Sequence, residues 1–164
     1  MKAAAVQVAR ADTREQIEQV RKLFLEYAQW LGFSLCFQGF DKELAELPWE
    51  YASPSGRLLL AYAEGADEPA GCVALRPLSE SICEMKRLYV RPAYQGRGAG
   101  RALAEAVIAE ARAIGYQKMR LDTVADKMQA AVAMYRVLGF REIPPYRENP
   151  MEHTLYMELE LRKI

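Results

Sequence analysis

Between Gln95 and Leu103 the chain reads QGRGAGRAL, and from there Leu103, Ala106, Val107, Ala111 and Ile114 recur at the three-and-four spacing of one helix face. The start of that helix constrains the fold more than any other feature. A helix leaves its first amides without intrahelical partners, and Ser, Thr, Asp or Asn usually supplies an oxygen to them. Here only glycine, alanine and arginine stand in those places. Arg97 and Arg101 also sit at the positive end of the helix dipole, which repels them. A bound oxyanion removes both faults, because glycine amides approach it closely and arginines neutralise it. The segment runs out of a strand, ICEMKRLYV (Ile82 to Val90), and its helix leads into another, KMRLDTV (Lys118 to Val124). That order favours a parallel crossover between the two strands.

Around this unit the texture is antiparallel. RLLLAYA (Arg57 to Ala63) and AGCVALR (Ala70 to Arg76) flank the turn-rich GADEP and read as a hairpin. HTLYMELEL at the end alternates Leu155, Met157, Leu159 and Leu161 with Thr154, Tyr156, Glu158 and Glu160, a strand with one buried and one wet face. A first helix spans Thr13 to Leu31, capped by Asp12 or Thr13 with Glu15 or Gln16 closing a capping box, and stops at Gly32. DKELAEL, before Pro48, gives a short helix. Asp126 with Gln129 opens another, lined by Met128, Ala131, Val132, Tyr135 and Leu138 and ended by Gly139.

The 164 residues, 51% hydrophobic, suffice for one well-buried core and are too few for two ordinary domains, so residues 1–164 read as a single domain. Twenty-two basic residues balance 22 acidic ones, which points away from nucleic-acid and membrane surfaces and toward a small-molecule partner. Cys36, Cys72 and Cys83 form no CxxC pair and His153 is the one histidine, so no disulfide framework or metal site is expected. The start of the chain lacks a signal-peptide or membrane-spanning run, and a cytoplasmic location is expected.

Two familiar phosphate loops do not fit. No Lys-Ser or Lys-Thr follows the glycines, and the spacing Gly96, Gly98, Gly100 is not GxGxxG. Asp122 lies near the distance expected of a ribose-binding acid, but one parallel unit in an antiparallel set makes a poor dinucleotide fold.

Gln95-Gly96-Arg97-Gly98-Ala99-Gly100 instead resembles the (Gln/Arg)-x-x-Gly-x-(Gly/Ala) loop of the GCN5-related N-acetyltransferases (GNAT). AVAMYRVLGFRE, Ala131 to Glu142, is similar to that family's second signature, with a tyrosine four residues before Gly-Phe. The resemblance implies an α/β (α+β) fold: a mixed, mostly antiparallel sheet of about six or seven strands, splayed at a central parallel pair and flanked by about four helices. It implies acetyl-CoA as cofactor, its pyrophosphate on the amides from Arg97 through Gly98, Ala99, Gly100 and Arg101 to Ala102, and its arm along Leu88, Tyr89 and Val90.

Acetyl transfer from a thioester to an amine needs a neutral amine, a stabilised tetrahedral oxyanion and a proton for the departing thiolate. By resemblance Tyr135 is the general acid, although on spacing alone it reads as a core aromatic. Glu84 is either the general base, directly or through water, or an ion-pair partner of Lys86 on the same strand face. The Leu88 amide is the candidate oxyanion donor. Many relatives carry Asn where this chain has Met128, which changes a cofactor contact. For the acceptor, the first helix, the loop after it and the segment before the last strand offer Tyr27, Trp30, Tyr146, Arg147 and Asn149, with Phe33, Phe37, Trp49 and His153 nearby in sequence. Such a set suits a small, amino-acid-like primary amine. The expected activity is acetyl-CoA-dependent N-acetyl transfer in a ternary complex, by a monomer or a homodimer paired through the last strand. The alternatives are a non-catalytic acyl-CoA sensor, a protein lysine or N-terminal acetyltransferase, and a phosphate-loop nucleotide binder.

Overall fold

The computed structural model describes residues 6–32, 39–148 and 153–161. In chain order these form β1 (Val6–Arg10), α1 (Arg14–Leu31), α2 (Phe40–Glu46), β2 (Arg57–Ala63), β3 (Gly71–Pro77), β4 (Ile82–Val90), α3 (Ala99–Ile114), β5 (Lys118–Val124), α4 (Gln129–Leu138), β6 (Arg141–Ile143) and β7 (Thr154–Glu160). Short 3-10 turns at Trp49–Tyr51 and Pro92–Tyr94 precede β2 and α3. Cys36, Phe33, Phe37 and Asn149 lie outside the described residues. Among the described residues no helix is long and apolar enough to cross a membrane.

The strands join in one sheet, β1-β2-β3-β4-β5-β7-β6, in which only β4 and β5 run parallel. Strand alternation sends Leu59, Val73, Met85, Leu121 and Met157 to one face, where Leu103, Val107 and Ala111 of α3 and Tyr135 of α4 cover them. Leu58, Leu60, Cys72 and Tyr89 go to the other face, under Val20, Leu23 and Phe24 of α1 and Phe40 of α2. Thr13 caps α1 and Gln16 reciprocates, the expected box, while Gly32 closes it in the left-handed conformation.

Two features open the middle of the sheet. Pairing between β4 and β5 runs only from Ile82↔Lys118 to Glu84↔Arg120, after which the strands part. On its other edge β4 carries a bulge: Cys72 faces Tyr89 but Ala74 faces Lys86, so Arg87 and Leu88 have no place in the register, and Arg87 has φ 61°. Gly71 lies beside that bulge, and a Cβ there would stand 2.3 Å from the Tyr89 carbonyl oxygen.

Several expectations are corrected. Asp126 does not cap α4; residues 124–128 form a tight turn, with Lys127 and Met128 amides both donating to the Val124 carbonyl, and the helix begins one turn later, after Met128. Asp126 instead lies 3.7 Å from exposed His153. The non-apolar face of β7 is not wet at its centre, since Tyr156 and Glu158 are buried there. Nor is β7 an edge strand free to pair across a two-fold axis, because it lies between β5 and β6.

Candidate active site

Two sites meet where β4 and β5 separate. The first is a cleft of about 460 Å³ walled by Leu88, Tyr89 and Val90 of β4, the loop Gln95, Gly96, Gly98 to Gly100, and Ala130, Ala131 and Met134 of α4. Gly98 precedes α3 without any side-chain cap. Gly96 and Gly98 have φ of 78° and 84°, a region other residues enter only with strain, and a Cβ on either would meet no protein atom within 4 Å. At Gly100 a Cβ would meet only Val90, at an ordinary 3.6 Å. No protein contact therefore demands glycine at Gly100, whereas an oxyanion approaching the bare amides does. The Ala102 amide, expected in the anion cradle, already donates to the Gly98 carbonyl at 3.0 Å, which leaves Arg97 to Arg101.

Neighbouring side chains are tied into this loop. Gln95 donates to the Val90 carbonyl at 3.2 Å, Arg97 lies 5.8 Å over the Tyr94 ring, and Arg101 pairs with Glu105. Trp30, expected at the acceptor, lines the cleft of the glycine loop instead, as does Met128, an apolar wall where many relatives have Asn. Tyr135 follows Met134 into the core, buried, with its ring 5.5 Å from that of Phe140. Burial, and secondarily the neighbouring Tyr27, raises its phenol well above the ordinary value.

The second site is a cluster of polar side chains on the α1–α2 side of the sheet. Glu84 lies there with no exposed side-chain surface, accepting from Arg76 Nε at 2.9 Å, from the Tyr146 hydroxyl at 2.7 Å and from Arg147. Glu84 thus pairs with two guanidiniums, those of Arg76 and Arg147. Tyr146 and Arg147 do meet, as expected, with Arg147 4.9 Å over the Tyr146 ring. Burial and the nearby Arg76 lower the Arg147 guanidinium to about 10. Tyr27, also expected here, is raised to about 12 by burial.

Sequence reasoning missed much of this cluster. Arg87, on the bulge, forms a buried bidentate pair with Glu43 of α2 at 2.8 and 2.9 Å. Lys86 is buried and its amine is pulled down to about 7, chiefly by desolvation and then by Arg87, against the attraction of Asp122. Asp122 sits on β5 two residues beyond the last β4–β5 pair. Its side chain is 10% exposed, Arg147 Nε stands 4.0 Å away, and its Oδ2 is buried without a hydrogen bond. The Tyr51 hydroxyl is likewise buried and unbonded. Only the alternation of Glu84 with Lys86 and of Arg120 with Asp122 carried a signal, placing each pair on one strand face.

A seven-stranded α+β sheet opened at one parallel pair, with an uncapped helix start at the opening, is the fold of the acetyltransferases. The structure of a GNAT-family acetyltransferase from Staphylococcus aureus Mu50 matches with a TM-score of 0.78 at 20% identity, covering 96% of this chain and 100% of that one. Residues 17–140 match the acetyltransferase (GNAT) family model. The chain is 37% identical over 164 residues to an uncharacterized N-acetyltransferase of Schizosaccharomyces pombe, covering 99% of each. It is 35% identical over 125 residues to the uncharacterized N-acetyltransferase YjgM of Escherichia coli, covering 76% of this chain and 72% of that one. The chain belongs to the GNAT family and is an N-acetyltransferase.

Proposed function

We propose that residues 1–164 work as one acetyltransferase unit that moves the acetyl group of acetyl-CoA to the primary amine of a small, amino-acid-like metabolite, by direct attack with both substrates bound. The observation that carries the acceptor class is the pairing of Asp122 and Arg147 across 4.0 Å beside the opening of the sheet. An anion and a cation held that close in a buried cluster match the ammonium and carboxylate of an amino acid.

The glycine loop fits the cofactor. Its amides from Arg97 to Arg101 would hold the diphosphate, and Leu88, Tyr89 and Val90 would line the arm opposite Trp30 and Met128. When bound, acetyl-CoA supplies an acyl carbon activated as a thioester. The Leu88 amide, displaced from the β3 register by the bulge, is the donor for charge developing on the acyl oxygen. Tyr135 holds the proton needed by the leaving sulfur. Burial raises the phenol, and a thiolate leaving into an equally dry place would be raised in the same direction, which offsets the rise of the phenol. Glu84 fixes Arg147 and Tyr146 in place; its three donors oppose a role as proton acceptor. One chain supplies every group in this account, so a monomer suffices.

Thiol release measured against a panel of free amino acids, their amides and simple amines tests the reading. Turnover of at least one α-amino acid is expected, with Tyr135→Phe lowering kcat by about 10²-fold. Acetylation confined to peptide N-termini or protein lysines would replace the metabolite reading with that of a protein acetyltransferase.

A further inference from the structure

We infer that Asp122 is the residue that receives the acceptor's ammonium and takes its proton, an assignment that rests on the small-amine reading above. The argument is one of hydrogen-bond accounting. A buried carboxylate is normally surrounded by donors, and one left without them marks strain or function. Glu84, the carboxylate that the family resemblance offered as base, accepts from two guanidiniums and a phenol. Asp122, two residues further along β5, keeps Oδ2 buried and unbonded.

Position supports the assignment. Asp122 and Lys86 stand on the same face, each two residues past the last paired residues of the parallel strands, Arg120 and Glu84. Leu88, two residues beyond Lys86, already lines the donor cleft. Asp122 therefore lies between the closed ion-pair anchor at Glu84 and the place where the donor arm ends. The charged and titratable groups around it are Lys86 of β4, Tyr27 of α1, Tyr146 and Arg147 ahead of β7, and Tyr156 on β7. Of these only Arg147 and Lys86 are cations, and an ammonium adds the donor that Oδ2 lacks.

The step balances simply. The ammonium donates to Oδ2; one N–H bond breaks and an O–H bond forms on Asp122. The electron pair of that N–H bond stays on nitrogen and becomes the nucleophile. After attack the nitrogen sheds a second proton, which restores the Tyr135 phenol that has protonated the leaving thiolate, and the proton on Asp122 leaves to solvent when the product departs.

The test uses acetyl-CoA and the amino-acid panel, with the pH profile of kcat/KM for wild type, Asp122→Asn and Lys86→Met. Asp122→Asn is expected to lose about 100-fold at pH 7 and to recover toward wild type near pH 9.5, where solvent has already freed the amine. Its CoA affinity by calorimetry should match wild type, because the donor cleft does not include Asp122. A loss equal at every pH, or no loss, overturns the assignment, since a packing role has no reason to be rescued by hydroxide. Retention of the neutral limb in Asp122→Asn with its loss in Lys86→Met transfers the role to the lysine. Failure of wild type to acetylate any panel amine overturns the small-amine reading and this assignment together, whereas wild-type turnover with an unchanged Asp122→Asn profile overturns this assignment alone.

Discussion

Lys86 has one of the least favourable environments of any charged residue in the chain. Its amine is buried, desolvation pulls it down to about 7, and Arg87 adds to the effect. An unfolded chain holds the proton to about 10.4. Between those values the unfolded state binds more protons, so stability must rise with pH across roughly 7 to 10.4 and carry its full penalty below 7. Urea unfolding of wild type and Lys86→Met from pH 6 to 10 reads this directly. The variant should be the more stable at pH 6, and the gap should close on the alkaline side at up to about 1.4 kcal/mol per pH unit. A pH-independent gap would mean that the amine is charged or neutral throughout, and would remove the desolvation argument.

At the scale of elements, α2 is held onto β4 by chemistry rather than by length. It spans seven residues, Phe40 to Glu46, too few for a stable isolated helix, and its Glu43 meets Arg87 on the bulge while Phe40 lies 5.2 Å under the same guanidinium. Removing one partner of a buried pair strands the other charge, at a cost of about 3–5 kcal/mol. Glu43→Gln should therefore lower stability by several times more than Glu105→Gln, which breaks an exposed i,i+4 pair worth about 0.3–0.5 kcal/mol. Equal losses in chemical denaturation would show that the buried pair is not what fastens α2. The contrast also explains what was legible in the chain. α1, α3 and the strands β2 to β5 announce themselves by period, caps and glycine stops, and the donor cleft by the missing cap before Ala99. β6, with three residues, is too short to have a period, and β1, with five, sits in a stretch read only for targeting signals. The centre of β7 misled because alternation distinguishes apolar from polar without saying whether the polar side meets water or, as at Glu158, the half-buried Arg120. Of the polar cluster, Glu84, Tyr146 and Arg147 were singled out in the sequence, whereas Glu43, Tyr51, Arg76 and Lys86 left almost no signal as members of it, since they come from separate elements and no spacing relates them.

For the molecule as a whole, the lining of the glycine-loop cleft includes neither Glu84 nor Asp122, so binding there should be separable from the polar cluster. A ligand that binds the native state alone stabilises it by RT ln(1 + [L]/Kd), about 2.7 kcal/mol at a hundredfold excess over Kd. For a chain of 164 residues that corresponds to a rise in Tm of roughly 5–10 °C. Coenzyme A should produce this shift and ATP or NAD should not, because all three carry a diphosphate but only coenzyme A has a flexible arm to lie along Leu88, Tyr89 and Val90. Gly98→Ala tests the cradle from both sides. A Cβ at φ 84° costs about 1–2 kcal/mol in the free protein, and it projects into the open space where the anion would approach. The variant should start from a lower Tm and lose most of the coenzyme A shift, while Asp122→Asn keeps it in full. An unchanged shift in Gly98→Ala would place the diphosphate elsewhere, and the bare start of α3 would then need another explanation.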